Sequence, residues 1–222
     1  MLRSKMVTVY TRAKIRRPAL LYRLKNTTRI VCLGDSITAG GYGTPLVTPW
    51  PKALAVKLGP SFSVIDKGIG GNITAQMLAR VSRDVINIIP RYCIVMGGIN
   101  DVWIGFPSLS GIESNLSAIY ETIRNAGITL VTATVTPPNY IADGTRERGQ
   151  ETIDLNAWVV GYSEQHNVEN VDFYSLLDDP HKPTYINPAL AQPGLGMHPN
   201  TAGHAIMAEV AFEKLRGISS IH

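Results

Sequence analysis

The sequence predicts an α/β fold, a three-layer αβα sandwich built on a mainly parallel sheet of five strands. Two observations carry this reading. From about residue 29 to the end, short apolar runs alternate with segments of helical periodicity, and such alternation implies a parallel sheet covered by helices on both faces. The runs themselves are also close to continuously apolar, as in Ile30-Val31-Cys32-Leu33, which is what a strand buried on both faces requires.

The strand expectations are Ile30 to Leu33, Ser63 to Asp66, Tyr92 to Met96, Thr129 to Val135 and Val168 to Phe173. Between them, Ile73, Met77, Val81 and Val85 recur every four residues, and Ile112, Leu116, Ile119 and Ile123 follow the i, i+4, i+7 rhythm of one helix face. Gly127 stands where a helix ending at Asn125-Ala126 takes a left-handed cap. Ala202, Ile206 and Val210 mark a last helix, Trp50 and Trp158 are expected in the core, and Trp158 is read on a helix. Thr136 to Gln150 and Asp178 to Gly196 are rich in proline, glycine or charge and follow strands, so they are expected to wall a binding site.

A chain of 222 residues, 45% hydrophobic and 17% charged, buries a substantial core and suits one domain. The net charge of +4 is unevenly spread. Residues 1 to 29 hold nine bases and no acid, which leaves 12 bases against 17 acids in the remainder. Residues 1 to 28 are therefore read as a basic extension on a domain of residues 29 to 222. The extension is a solvated tail in the first reading, and otherwise a contact for an anionic surface, nucleic acid or an organellar import receptor, and its Met6 to Thr11 stretch alternates like a strand. No nucleic-acid partner is expected.

The Ala19-Leu20-Leu21-Tyr22 run is short of the about 7 to 15 apolar residues of a secretory signal, and no run approaches a membrane span of about 18. Cys32 and Cys93 lie in apolar runs and read as buried small hydrophobes, so a reducing cytoplasm is the expected location. Oligomeric state is not legible.

An open parallel sheet binds ligands beyond the carboxyl ends of its strands, and this makes neighbours of distant segments. Gly34-Asp35-Ser36 follows the first strand, Gly68-Ile69-Gly70-Gly71-Asn72 the second and Gly97-Gly98-Ile99-Asn100-Asp101 the third, while His198-Pro199-Asn200 precedes the last helix. A hydroxyl, glycine amides, a carboxamide and an imidazole suit acyl transfer. Serine becomes a nucleophile only with a base in hydrogen-bond reach, and backbone amides with an asparagine side chain stabilise the oxyanion that follows. Each block alone reads as an ordinary turn or cap, and it is their combination and order that carry the reading.

These four blocks resemble the SGNH hydrolases, the GDSL esterase/lipase family, over residues 29 to 216. The resemblance implies a flavodoxin-like SGNH fold, a nucleophile at Ser36 in Gly34-Asp35-Ser36-Ile37-Thr38, and His198 as base. It further implies an oxyanion hole of the Ser36 amide, Gly71 and Asn100, with Gly70 the neighbouring alternative to Gly71. It implies no cofactor, and a small-molecule or carbohydrate ester as substrate. Acetyl or other short-chain esters are the first expectation, with lysophospholipase or thioesterase action the alternative among enzymes. A binding module for an acylated polymer or anionic surface is the alternative outside them.

One position departs from the family pattern, in which an aspartate stands three residues before the histidine: here Leu195 occupies it. Three readings compete. A backbone carbonyl near Leu195 orients His198 in a Ser-His dyad, Asp178 or Asp179 supplies the acid, or the site is weak or inactive. Trp103, Ile104 and Phe106 after the third block, together with Leu195, are candidates for the pocket wall. Asp35 and Asp101 are expected to orient loops through backbone amides rather than to act as acid or base. His204 lies inside the last helix without partners at ligand spacing, so no metal is expected. Gly40-Gly41-Tyr42-Gly43 matches no nucleotide-binding pattern.

Overall fold

The computed structural model describes residues 27–41, 47–105, 107–138, 148–193 and 197–218. Five parallel strands form the sheet: β1 (Thr28–Gly34), β2 (Phe62–Gly68), β3 (Tyr92–Val95), β4 (Thr129–Ala133) and β5 (Glu169–Val171). Their spatial order is β2-β1-β3-β4-β5. The chain leaves β1 toward β2 and then returns across to β3, so the switch point of the topology lies between β1 and β3. Register pairs Gly34 with Gly68 and Leu33 with Val95, which brings three strand ends to one edge.

Eight α-helices are described, besides one 3-10 turn (Ile86–Ile88): α1 (Ser36–Ala39), α2 (Trp50–Leu58), α3 (Thr74–Asp84), α4 (Ile99–Ile104), α5 (Leu109–Asn125), α6 (Arg148–His166), α7 (Phe173–Leu177) and α8 (Thr201–Ile218). α2 packs on α8, whereas α3, α5 and α6 form a second contiguous group. The three-layer expectation is met, and the strands are as dry as their composition demands: Ile30, Val31, Cys32, Leu33, Cys93, Ile94 and Val95 are fully buried. Both cysteines are free thiols pushed up in pKa chiefly by burial.

The periodic helices lie where their spacing puts them. On α5 the four residues Ile112, Leu116, Ile119 and Ile123 are buried, each stabilising the fold by about 1.5–3 kcal/mol. Gly127 follows that helix with φ of 73°, the left-handed backbone that glycine adopts without cost. Trp50 is buried against Phe173, and Trp158 stacks on Tyr120.

Three details differ from expectation. β4 stops at Ala133 because the next apolar residue's backbone is taken by a side chain: Asn156 accepts from the Val135 N–H at 2.8 Å and donates to its carbonyl at 3.0 Å. β5 ends at Val171 because Asp172 caps α7, its carboxylate accepting from the Ser175 N–H. On α8 the buried face carries Gly203, His204, Met207, Ala208, Ala211 and Leu215, rotated away from Ala202, Ile206 and Val210. That helix is apolar on more than one side, and Gly203 lets it approach the segment before it closely: a β-carbon there would lie 2.7 Å from the Leu190 carbonyl oxygen.

The stretch from Asp178 to Gly196 holds an unexpected antiparallel hairpin of β6 (Asp178–Asp179) and β7 (Lys182–Ile186). Residues 1–26, and with them Met6 to Thr11, lie outside the described residues. No helix among the described residues is long and apolar enough to cross a membrane.

Candidate active site

Ser36 opens α1 directly beyond β1. Its entry is fixed by Asp35, whose carboxylate accepts from the Ile37 N–H at 2.9 Å. Gly68 on the neighbouring strand lets this turn sit close: a β-carbon there would come within 2.3 Å of the Ala39 nitrogen. The helix that Ser36 opens is therefore wedged against the end of β2, and Ser36 is only 3% exposed.

His198 reaches the serine from 162 residues away. Ser36 Oγ and His198 Nε2 are 2.9 Å apart, within hydrogen-bond reach for proton transfer, and the pair is buried. The histidine's strand-like segment is stapled to the chain before it. The Gln192 N–H donates to the His198 carbonyl at 2.8 Å, and Ala191 bridges Pro199. Asn200 completes the staple, donating from Nδ2 to the Ala189 and Ala191 carbonyls while its Oδ1 accepts from the Ala202 and Gly203 amides at the start of α8.

The second and third blocks meet on the other side. Asn72 N–H donates to the Ile69 carbonyl, closing a four-residue turn with Gly71 at φ of 74°, the position where a type II turn needs a left-handed residue. Asn100, on α4, donates from Nδ2 to the Asn72 carbonyl at 3.0 Å. An amide nitrogen has two hydrogens, so one anchors the turn and the other remains to offer to an oxyanion. Gly70 and Gly71 are exposed at the mouth.

Behind this turn lies a buried polar network that sequence reasoning did not single out. Arg80, 6% exposed on α3, donates from Nε to Asn72 Oδ1, from NH2 to the Gly34 carbonyl and from NH1 to the Lys67 carbonyl and to Asp84. It therefore ties the ends of β1 and β2 to the glycine turn. The carboxyl of Asp84 is held well below the usual range, first by Arg83 and then by Arg80. The signal for Arg80 was present: it shares a helix stripe with Met77, Val81 and Asp84, so a cation interrupts an apolar face with its carboxylate at i+4.

Asp101 accepts from the Thr74 N–H and from its hydroxyl at 2.5 Å, locking α4 to the start of α3, and Asn115 adds a bond to the same hydroxyl. Asp35 and Asp101 thus bond to backbone amides. Burial raises both carboxyls; that of Asp35 is pushed up to about 7, against the opposing pull of the Ile37 N–H and with Asp101 adding to the rise. His204 is buried on α8 and is held neutral, down to about 4, by burial first and then by the charge of His198. Among the described residues no group of three or more His, Cys, Asp or Glu is placed to hold a metal.

Asp178 and Asp179 lie on β6. Asp178 Oδ1 accepts from the Thr184 N–H and Asp179 Oδ1 from the His181 N–H, so both shape their own hairpin. Trp103 and Ile104 stand half exposed at the far end of α4, 45% and 59% accessible. Phe106 and Leu195 lie outside the described residues.

Comparison with known proteins agrees with this architecture. Residues 32–206 match the model of the GDSL-like lipase/acylhydrolase family. An acetylxylan esterase from Geobacillus stearothermophilus is 30% identical over 220 residues, covering 85% of this chain and 96% of that protein. An arylesterase from Vibrio mimicus is 34% identical over 116 residues, or 50% of this chain and 57% of its own length. In three dimensions, a GDSL-like lipase from Bacteroides thetaiotaomicron superposes with a TM-score of 0.75 at 21% identity, covering 91% of this chain and 98% of the other. The order of the strands, the four clustered blocks and a family match running from β1 into α8 converge: the chain belongs to the GDSL-like lipase/acylhydrolase family.

Proposed function

We propose that this protein is a serine esterase that hydrolyses acetyl and other short-chain esters through an acyl-enzyme on Ser36. The family and its relatives named as esterases support a carboxylic ester hydrolase. The observation that carries the mechanism is the 2.9 Å contact between Ser36 Oγ and His198 Nε2.

In the reaction, Ser36 Oγ attacks the ester carbonyl as His198 Nε2 takes the hydroxyl proton. The carbonyl oxygen becomes an oxyanion held by the Ser36 and Gly71 amides and by Asn100 Nδ2. Collapse breaks the bond to the alcohol oxygen, which leaves with the proton from His198. Water, deprotonated by His198, then attacks the acyl carbon, and the bond to Ser36 breaks as its oxygen recovers the proton. Acid and free enzyme result, with no cofactor consumed.

His198 works in a dyad in this reading, its orientation supplied by the chain rather than by a carboxylate at position 195. Hydrolysis of 4-nitrophenyl acetate and labelling by a fluorophosphonate test the proposal. Wild type turns over and is labelled on Ser36, while Ser36→Ala and His198→Ala lose turnover by about 10⁴-fold or more. Leu195→Asp leaves turnover level or lowers it. A folded wild type with neither turnover nor label rejects the esterase and leaves a binding protein.

A further inference from the structure

The sheet ends in two unlike edges. β5 is three residues long, opens on the exposed Glu169 and runs into the Asp172 cap. β2 is seven residues long and, among the described residues, pairs with β1 alone, so its outer side is an open edge. A long edge carrying apolar residues is a template for another strand, and native proteins cover or blunt such edges. Here Val64 and Ile65 are only partly buried, whereas their register partners on β1, Ile30 and Val31, are fully buried.

The ladder shows which backbone groups this edge offers. The Thr28 N–H donates to the Ser61 carbonyl at 2.9 Å, and the Ile69 N–H to the Gly34 carbonyl at 3.1 Å. Alternate residues of a parallel ladder face the partner strand, so Ser63, Ile65 and Lys67 turn their amides and carbonyls to β1 while Val64 and Asp66 turn theirs outward. Both ends of the outward row are closed. The Phe62 N–H donates to the Gly59 carbonyl, and the Gly68 N–H to the Asp66 carboxylate at 2.7 Å. Between them, the outward N–H and C=O groups of Val64 and Asp66 meet no partner among the described residues.

A segment of matching length lies in the chain before the described residues. Met6-Val7-Thr8-Val9-Tyr10-Thr11 alternates, is rich in β-branched and aromatic residues, and contains neither proline nor charge. The described residues begin at Thr27, and Thr28 stands opposite Phe62 at the start of β2. A strand laid outside β2 is two strand spacings, about 10 Å, from β1, and residues 12–27 span that distance several times over. If it runs antiparallel to β2, it finishes at the end of the sheet where β1 starts, and the chain returns without a crossover. Otherwise parallel sheets commonly carry such an antiparallel edge strand. This direction also brings Arg3 and Lys5 to the end of the edge that holds Asp66, the single carboxylate of β2.

We propose that residues 6–11 pair antiparallel with the outer edge of β2 as a sixth strand, bonding to the outward groups of Val64 and Asp66. The occupant of this surface is the chain's own segment. β2 runs directly into the turn at residues 68–72, so the added strand braces the element that presents Gly71. The bases from Arg12 to Lys25 are then held at the end of the sheet opposite the catalytic pair.

Amide exchange in the full-length protein tests the pairing. The Val64 and Asp66 N–H groups of wild type are expected to exchange about 100-fold or more slowly than those of Thr8→Pro/Val9→Pro. That double variant removes a strand donor in either register and changes no described residue. Ile65 and Lys67, bonded to β1, are expected to be equally protected in both proteins. Equal exchange of Val64 and Asp66 in the two proteins overturns the proposal. Fast exchange in both marks a solvated arm, and slow exchange in both marks an edge covered by a second copy. An independent measurement places p-benzoylphenylalanine at position 10 of the full-length chain. Photolysis is expected to join it, within one chain, to the tryptic peptide of residues 58–67. Cross-links only between chains or only to other elements overturn the pairing.

Discussion

The Arg80 guanidinium donates from Nε to the Asn72 side-chain carbonyl at 2.8 Å. Asn72 is also the residue whose backbone carbonyl receives Asn100, so a buried cation on α3 sets the position of the proposed oxyanion donors without touching substrate. Removing it takes one donor from each of the Gly34 and Lys67 carbonyls and from Asn72 Oδ1, although the Gly34 carbonyl keeps its bond from the Ile69 N–H. Arg80→Met is therefore expected to lower stability by about 3 kcal/mol and to reduce kcat about tenfold or more while KM changes little. Urea unfolding and ester kinetics well below the melting temperature check both halves. A folded variant with wild-type kcat rejects the positioning role, and Arg80→Lys, which keeps charge but not the fork, is expected to recover little of the loss.

Asn100 gives a cleaner kinetic signature. If its second N–H meets the oxyanion, Asn100→Ala lowers kcat by about 10²–10³-fold with KM near wild type. A raised KM at unchanged kcat would place the residue in ground-state binding instead.

Asp35 predicts a pH dependence of stability. Its buried Oδ2 has no hydrogen-bond partner among the described residues, and burial pushes its carboxyl, ordinarily near 3.8, up to about 7 in the folded protein. Between those values the unfolded chain has released the proton and the folded chain still holds it. Its contribution is thus most favourable at low pH and declines as pH rises through that window, by up to about 4 kcal/mol. Asp35→Asn keeps an acceptor for Ile37 and removes the titration, so its stability relative to wild type should be higher at pH 8 than at pH 4.5. Equal differences at both pH values, from thermal melts, would show that Asp35 does not titrate across this range.

Trp103 and Ile104 project from the same short helix that carries Asn100 at its other end. An apolar surface so placed suits the acyl side of the ester. Trp103→Ala is expected to lower the kcat/KM ratio of 4-nitrophenyl butyrate to acetate about tenfold, the scale of a few lost methylene contacts. No change in that ratio removes Trp103 from the acyl pocket.

Much of this was legible in the chain because it is local. The apolar run at Ile30 to Leu33 and the four-residue rhythm of Met77, Val81 and Val85 follow from backbone geometry, which repeats every two residues in a strand and every 3.6 in a helix. Three of the four blocks were legible because a parallel sheet brings every strand's carboxyl end to one edge, and the fourth because it stands before the last helix. The less legible parts each depend on a partner remote in sequence. β4 is cut short by Asn156, α8 is turned by what it packs on, and the β6–β7 hairpin hid in a stretch whose short strands carry no period.

The sequence by itself therefore determined the layers, the order of the functional blocks and which residue types stand at each strand end, since these follow from periodicity and turn chemistry. Only the tertiary structure decided that Ser36 and His198 meet at 2.9 Å and that Arg80 is a buried support rather than a solvated cation. Each of these is a contact between groups far apart along the chain. Its existence depends on where two separate elements finally pack, which no local pattern records.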